Sequence, residues 1–193
     1  IILSGKSKDE IIYLILELLK ELGVRMDNDM FAISDYEITK QLTKNVEDYA
    51  DAKALPHVKV AKRLREKGDI TIKQNAFIPY VVCIDTTEGA VNNSKSLADR
   101  CYHPRELQEN PNLKLDIVWY KENQIIASVG RLCKHIEEID MFQMATNLGI
   151  DGSKYTYSLN KNKEVEGQSE VIIENDSIVK RSEEHTSELQ SQF

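Results

Sequence analysis

The sequence predicts a mainly α fold with a small β component, in which several helices form a bundle and short strands pack on one side. Three observations carry this expectation. Apolar residues recur at helical spacing in the longer segments, β-branched and aromatic residues gather in short runs, and Gly or Pro stands at several of the borders between them.

The elements follow in order. Ser7-Lys-Asp-Glu10 reads as a capping box, with Ser7 at the N-cap and Glu10 three residues on. Ile11, Ile12, Leu14, Ile15, Leu18, Leu19 and Leu22 continue at helical spacing, and Gly23 is expected to stop the run. Residues 31–42 alternate as a strand does and lead into a Thr-Lys turn. Pro56 suits the first turn of a helix and Gly68 its end. Val58, Val60, Ala61 and Leu64 supply its apolar face, while Lys59, Lys62, Arg63 and Lys67 fall largely on the other side. Residues 70–72 and 77–84 read as two short strands, 88–96 as a polar loop, 115–136 as a long helix, and 141–148 as a short helix before Gly149. Residues 153–180 are polar and poor in periodicity, with Val171-Ile172-Ile173 the one strand-like piece. The expected organisation is a folded domain over 1–151 and a polar linker over 152–180.

Composition narrows the function. A chain of 193 residues with 41% hydrophobic residues has material for one core. A net charge of -7 argues against wholesale nucleic-acid binding, but the charge is uneven: residues 53–67 carry six basic side chains against Glu66 alone, a net of +5. Such a stretch is either a face for an anionic partner or an ordinary solvated helix surface. Cys83, Cys101 and Cys133 are far apart and form no Cys-x-x-Cys pair, which fits buried thiols in a reducing compartment. None of the four histidines has ligand spacing to another His or Cys. There is no run of about 18 apolar residues that would span a membrane, and no signal peptide. Ile1 is not a start methionine, so the chain is expected to begin within a longer one. Arg181 to Ser191 resembles a translated sequencing-library adapter, so 181–193 is expected to be an artefact without fold or function.

The most informative stretch is Asp35-Tyr-Glu-Ile-Thr-Lys-Gln-Leu-Thr-Lys44, followed by Asp48-Tyr49 and Leu55-Pro-His-Val-Lys-Val-Ala61. Basic residues come there in short steps on polar segments, interleaved with aromatics, as a surface gripping a phosphate backbone requires. The wording resembles the thumb of family B DNA polymerases, most closely the eukaryotic alpha branch, whose pattern is Ile-Thr-Lys-x-Leu-Thr-Lys, then Asp-Tyr, then Leu-Pro-His-Val-x-Val-Ala. Val46 departs from it where relatives usually have proline. The resemblance continues through Ile78-Pro79-Tyr80-Val81-Val82-Cys83, although Gln74-Asn75-Ala76 replaces the usual Gly-Asp turn before that strand. Tyr102-His103-Pro104 with Glu106-Leu107, then Asp116, Tyr120, Gln124, Arg131 and Ile136, and finally Leu148-Gly149-Ile150-Asp151 extend it over 1–151.

The resemblance implies a parent DNA-directed DNA polymerase, a nucleotidyltransferase of nuclear DNA replication. It implies primer–template nucleic acid as partner, either an RNA–DNA hybrid or a DNA duplex, together with the polymerase palm, primase and accessory subunits, and no membrane. The family's magnesium sits on palm carboxylates, in an Asp-x-x-Ser-Leu-Tyr-Pro motif and a Tyr-Gly-Asp-Thr-Asp motif, and neither motif occurs here. The fragment alone is therefore expected to be inactive, without catalytic residues or a cofactor of its own. Asp27-Asn28-Asp29 is expected to be a turn. Lys40 and Lys44 are expected to contact phosphates, with hydroxyl hydrogen bonds from Thr39 and Thr43. Tyr49 either stacks on a sugar or packs under the turn. His57, at the start of the basic helix, either faces a phosphate with the free first-turn amides or packs inside. Lys53 and Arg63 are expected as second-line contacts, and Tyr80 as core. The alternative reading is a stand-alone helical module whose basic face binds an acidic protein.

Overall fold

Phe77–Asp85, designated β2, is the strand on which the sheet is assembled. In the computed structural model, which describes residues 5–50, 54–92, 95–136 and 138–155, three short strands pair with it, all antiparallel. β1 (Ile38–Gln41) takes its first half, with Ile38 opposite Tyr80 and Gln41 opposite Phe77. β3 (Cys101–Tyr102) lies against Val81 and Val82, and β4 (Leu113–Leu115) takes Cys83 to Asp85. Extending the β1 register by two residues puts Tyr36 opposite Val82. No direct backbone bond joins them. The Tyr120 hydroxyl stands between, accepting from the Val82 amide at 2.9 Å and donating to the Tyr36 carbonyl at 2.8 Å. The Asp116 amide, just past the end of β4, donates to the Val82 carbonyl at 3.0 Å. A single side chain thus bridges the gap between two strands that share one edge.

Helices cover this sheet and form a second core beside it. α1 (Lys8–Asp27) opens with the expected capping box at Ser7 and buries Ile15, Leu19 and Met26, spaced four and seven residues apart. α2 (Pro56–Glu66) starts at Pro56 and ends before Gly68, which takes φ +95°. Val58, Val60, Ala61 and Leu64 bury on Ile78, Tyr80, Val81 and Val82. After β3 comes α3 (Pro104–Glu109). The long C-terminal helix is continuous from Ile117 to Cys133: α4 (Ile117–Tyr120), six residues of π geometry (Lys121–Ile126), and α5 (Ala127–Cys133). α6 (Met141–Asn147) packs on α1, where Ile15, Leu19, Ile126, Met144 and Leu148 make the second core. Mainly α with a small antiparallel sheet is what the sequence predicts. No helix among the described residues is long and apolar enough to cross a membrane.

Several boundaries differ, each for a physical reason. Gly23 does not stop α1, which runs four residues further. It is buried mid-helix because a Cβ there would collide with the Leu148 backbone carbonyl, so the glycine permits close approach of the α6 end. The actual stop is Asn28, followed by Asp29 at φ 52°, so Asp27-Asn28-Asp29 is a helix-end turn. The strand expected over 31–42 shrinks to β1, because Asp35 accepts from the Ala32 amide and folds Ile33–Tyr36 into a 3-10 turn. No strand forms at 70–72. Asp69 accepts from both the amide and the hydroxyl of Thr71, and Ile70 is left 91% exposed. The long helix starts later than expected, because Asp116 caps it by accepting from the Trp119 amide. Of the linker expected over 152–180, residues 153–155 form a helical turn and Tyr155 packs on the second core. Residues 156–180, and 181–193, lie outside the described residues.

Candidate nucleic-acid interface

The Thr-Lys turn is built from its own sequence. Leu42, fully buried, anchors it: its amide donates to the Ala76 carbonyl at 2.9 Å and its carbonyl accepts from the Asn75 amide at 2.7 Å. Asn75 takes φ 69°, the left-handed conformation that asparagine tolerates better than other side-chain-bearing residues, and so fills the role of the missing glycine turn. Gln74 Nε2 donates to the Thr43 carbonyl at 3.0 Å, and Gln41 Nε2 donates to the Asn75 carbonyl at 3.3 Å. The 74–76 segment therefore braces the turn from one side.

Tyr49 braces it from the other. Its hydroxyl accepts from the Thr43 amide at 2.8 Å and the Lys44 amide at 3.3 Å, and lies 3.1 Å from the Thr43 hydroxyl. The Tyr49 hydroxyl thus lies under the turn. Burial works to raise its phenol, but these hydrogen bonds and the Lys44 charge outweigh burial and leave it lowered. The Tyr49 ring meets His57 edge-on, centroids 6.3 Å apart. His57 is half-buried, and burial first, then the nearby Lys40 ammonium, hold its imidazole below the usual value. No side chain caps the N-terminus of α2 among the described residues.

Lys40, Thr43, Lys44, Tyr49 and His57 thus form one connected group, while Thr39 lies on the opposite face of β1 from Lys40. Thr39, Lys40, Thr43 and Lys44 are exposed, and neither lysine has a carboxylate partner among the described residues. Lys62 joins them. It shares with Tyr49, Val46, Glu47, Arg65 and Glu66 the wall of an open depression of about 450 Å³. The sequence counted Lys62 only within a charge run; a signal for it would have been the absence of a paired acid, which needs the fold.

Arg63 is not brought to this group. Its guanidinium donates to Glu106 at 3.0 and 3.3 Å and to the Cys101 carbonyl at 2.6 Å, with its carbon 4.8 Å over the Tyr102 ring. Lys53 lies outside the described residues. The basic face expected on α2 is largely neutralised: Lys59 pairs with Asp99, Arg65 with Glu47, and Lys67 joins Arg63 on Glu106. Glu106 is 7% exposed. Burial pushes its carboxyl up, but hydrogen bonds from Arg63, the His103 amide and Lys67 hold it below its ordinary value.

Other chemistry finds no support here. Burial pushes the Cys83 and Cys101 thiols up to about 12, so neither is a nucleophile at neutral pH. Among the described residues no three His, Cys, Asp or Glu side chains converge as a metal ion requires. The described residues offer no donor set that fits the family's magnesium.

Residues 1–136 match the sequence profile of DNA polymerase family B. The chain is similar to the DNA polymerase alpha catalytic subunit of Sterkiella nova, 37% identical over 177 residues that cover 90% of this chain and 12% of that protein. It is similar also to those of Xenopus laevis, 36% identical over 154 residues, and Oryza sativa subsp. japonica, 38% identical over 155, each covering 80% of this chain and 10% of the relative. The chain therefore spans about a tenth of the length of the relatives it matches. With the profile covering most of its length, this chain belongs to DNA polymerase family B.

Proposed function

We propose that this chain is the thumb of an alpha-type DNA-directed DNA polymerase and grips the backbone of the primer–template duplex. The observation that supports it best is the turn at 43–44, braced on both sides, with Lys40 and Lys44 exposed and without a carboxylate partner among the described residues. Cations held without internal carboxylates are free to displace counterions from phosphates. Thr43 adds a hydroxyl beside Lys44, Thr39 offers another on the other face of β1, and His57 stands behind Lys40 at the open end of α2. These contacts read shape and charge without reading bases, so the duplex can slide after each addition. An acidic-protein partner would find most of the α2 charge already paired.

Catalysis belongs to the palm of the parent enzyme, where its magnesium would sit; no step is assigned to the residues of this chain. The same reading carries a nuclear location, with the palm, primase and accessory subunits as neighbours. The hydroxyls at Thr39 and Thr43 suit a groove lined by 2′-hydroxyls, so an RNA–DNA hybrid is expected to bind more tightly than DNA duplex. Equal affinities would remove that refinement alone.

The test is duplex affinity against salt. Contact through three to five cations gives a log–log slope of roughly -3 to -5, and Lys40→Ala with Lys44→Ala removes about two units of it. A double variant with the wild-type slope would sink the assignment.

A further inference from the structure

One cation of α2 escapes the neutralisation of its neighbours. Lys59, Arg63, Arg65 and Lys67 each meet a carboxylate, but Lys62 is exposed and has none among the described residues. Its place is fixed by the helix. α2 runs beside the 3-10 turn Val46–Asp48, and Arg65 pairs with Glu47 across the gap. That pair ties the helix to the segment following Lys44. The open depression lies between them, with Lys62 and Tyr49 both in its wall.

Tyr49 joins the depression to the turn. The hydroxyl that shares the wall with Lys62 also accepts from the Thr43 and Lys44 amides. A single side chain therefore stands between the lysines of the turn and the lysine of the helix. Arg65 and Glu47 satisfy each other, so the charge left to a ligand in the depression is that of Lys62 and Glu66. These two lie four residues apart on one helix face. Glu66 likewise has no ion-pair partner among the described residues. An anion that follows the wall from Tyr49 is attracted at Lys62 and repelled at Glu66.

We propose that Lys62 is a further phosphate contact of the interface, seated in the depression beside Tyr49, and that Glu66 ends the phosphate track on α2. The inference rests on the duplex-gripping reading above and extends it from the turn onto the helix. A nucleic-acid strand presents a phosphate at every residue, so a cation across one tyrosine from Lys44 lengthens the contact along the same backbone. The cations of the interface are then Lys40, Lys44 and Lys62, two contiguous in the sequence motif and one brought to them by the fold.

The experiment measures duplex affinity of the whole chain over a range of salt for Lys62→Met, Lys59→Met and Glu66→Gln, with thermal melting to establish that each variant is folded. Lys62→Met and Lys59→Met remove the same charge from the same helix, so they separate contact from net charge. Lys62→Met is expected to weaken binding about fivefold at low salt and to take about one unit off the log–log slope, in addition to the two removed with Lys40 and Lys44. Lys59→Met is expected to keep the wild-type line. Glu66→Gln is expected to strengthen binding about twofold at low salt, an effect that fades as salt rises. If Lys62→Met follows Lys59→Met while removal of Lys40 and Lys44 still flattens the slope, the depression holds no phosphate and this inference alone is overturned. A Glu66→Gln variant that bound more weakly than the wild type would overturn the track's end on α2. A wild-type chain with no duplex affinity at any salt overturns the function and the inference together.

Discussion

Helix α2 and the turn at 43–44 carry the same kind of side chain and use it in opposite ways. On α2 and at its C-cap, Lys59, Arg63, Arg65 and Lys67 are matched by carboxylates within the fold, and Lys62 alone has none among the described residues. On the turn, Lys40 and Lys44 have hydrogen-bonded backbone beneath them and no carboxylate partner among the described residues. A basic residue that has met its acid is part of the architecture, while one held rigidly without an acid is available to an outside anion. The density of positive charge in the sequence is highest where the structure has least to offer a partner.

Glu106→Gln tests the architectural side and has the largest expected effect. It leaves Arg63 and Lys67 without their shared counter-charge near a buried position, at a cost of about 3 kcal/mol in urea unfolding. The sign with pH follows from the lowered carboxyl. The Glu106 contribution is complete above the unfolded value of about 4.3 and is lost as pH falls through the lower folded value. The acid limb of the stability curve should therefore flatten in Glu106→Gln. A variant that kept wild-type stability yet lost duplex affinity would reverse the comparison.

Tyr49→Phe tests the turn. It removes one acceptor from two amides that water can still reach, so stability should fall by only about 1 kcal/mol. Duplex affinity should drop about fivefold because the turn no longer holds Lys44 in place, while the salt slope, set by the number of cations, stays nearly unchanged. The smallest effect is expected for Lys59→Met. Its pair with Asp99 is partly exposed and should be worth less than about 1 kcal/mol, with no change in affinity. The Asp99 carboxyl, held down to about 2 by hydrogen bonds from Lys59 and Ser96, should rise toward its ordinary value in that variant.

The turn was legible because its parts are contiguous: Thr39 to His57 span fewer than twenty residues, and each spacing points to the next. The neutralisation of α2 was not, because Asp99 and Glu106 lie about forty residues downstream and only the packing of β3 and α3 brings them back. Gly23 was misread for a related reason. A glycine signals a stop only when nothing else needs its missing side chain, and the Leu148 carbonyl does. Strands of two or three residues, such as β3 and β4, are too short for periodicity to declare.

The shared edge of β2 also bears on how the molecule avoids its own copies. With β1, the Tyr120 hydroxyl and β4 laid end to end along that edge, the longest strand offers another chain no continuous row of amides to pair with there. What that side presents is short: β1, four residues long with Lys40 among them, and β4, three residues long. A short strand with a lysine in it is a poor template for cross-chain β-pairing. The residue offered to phosphate therefore has a second use as a gatekeeper against aggregation, and Lys40→Val would be expected to reduce solubility as well as affinity.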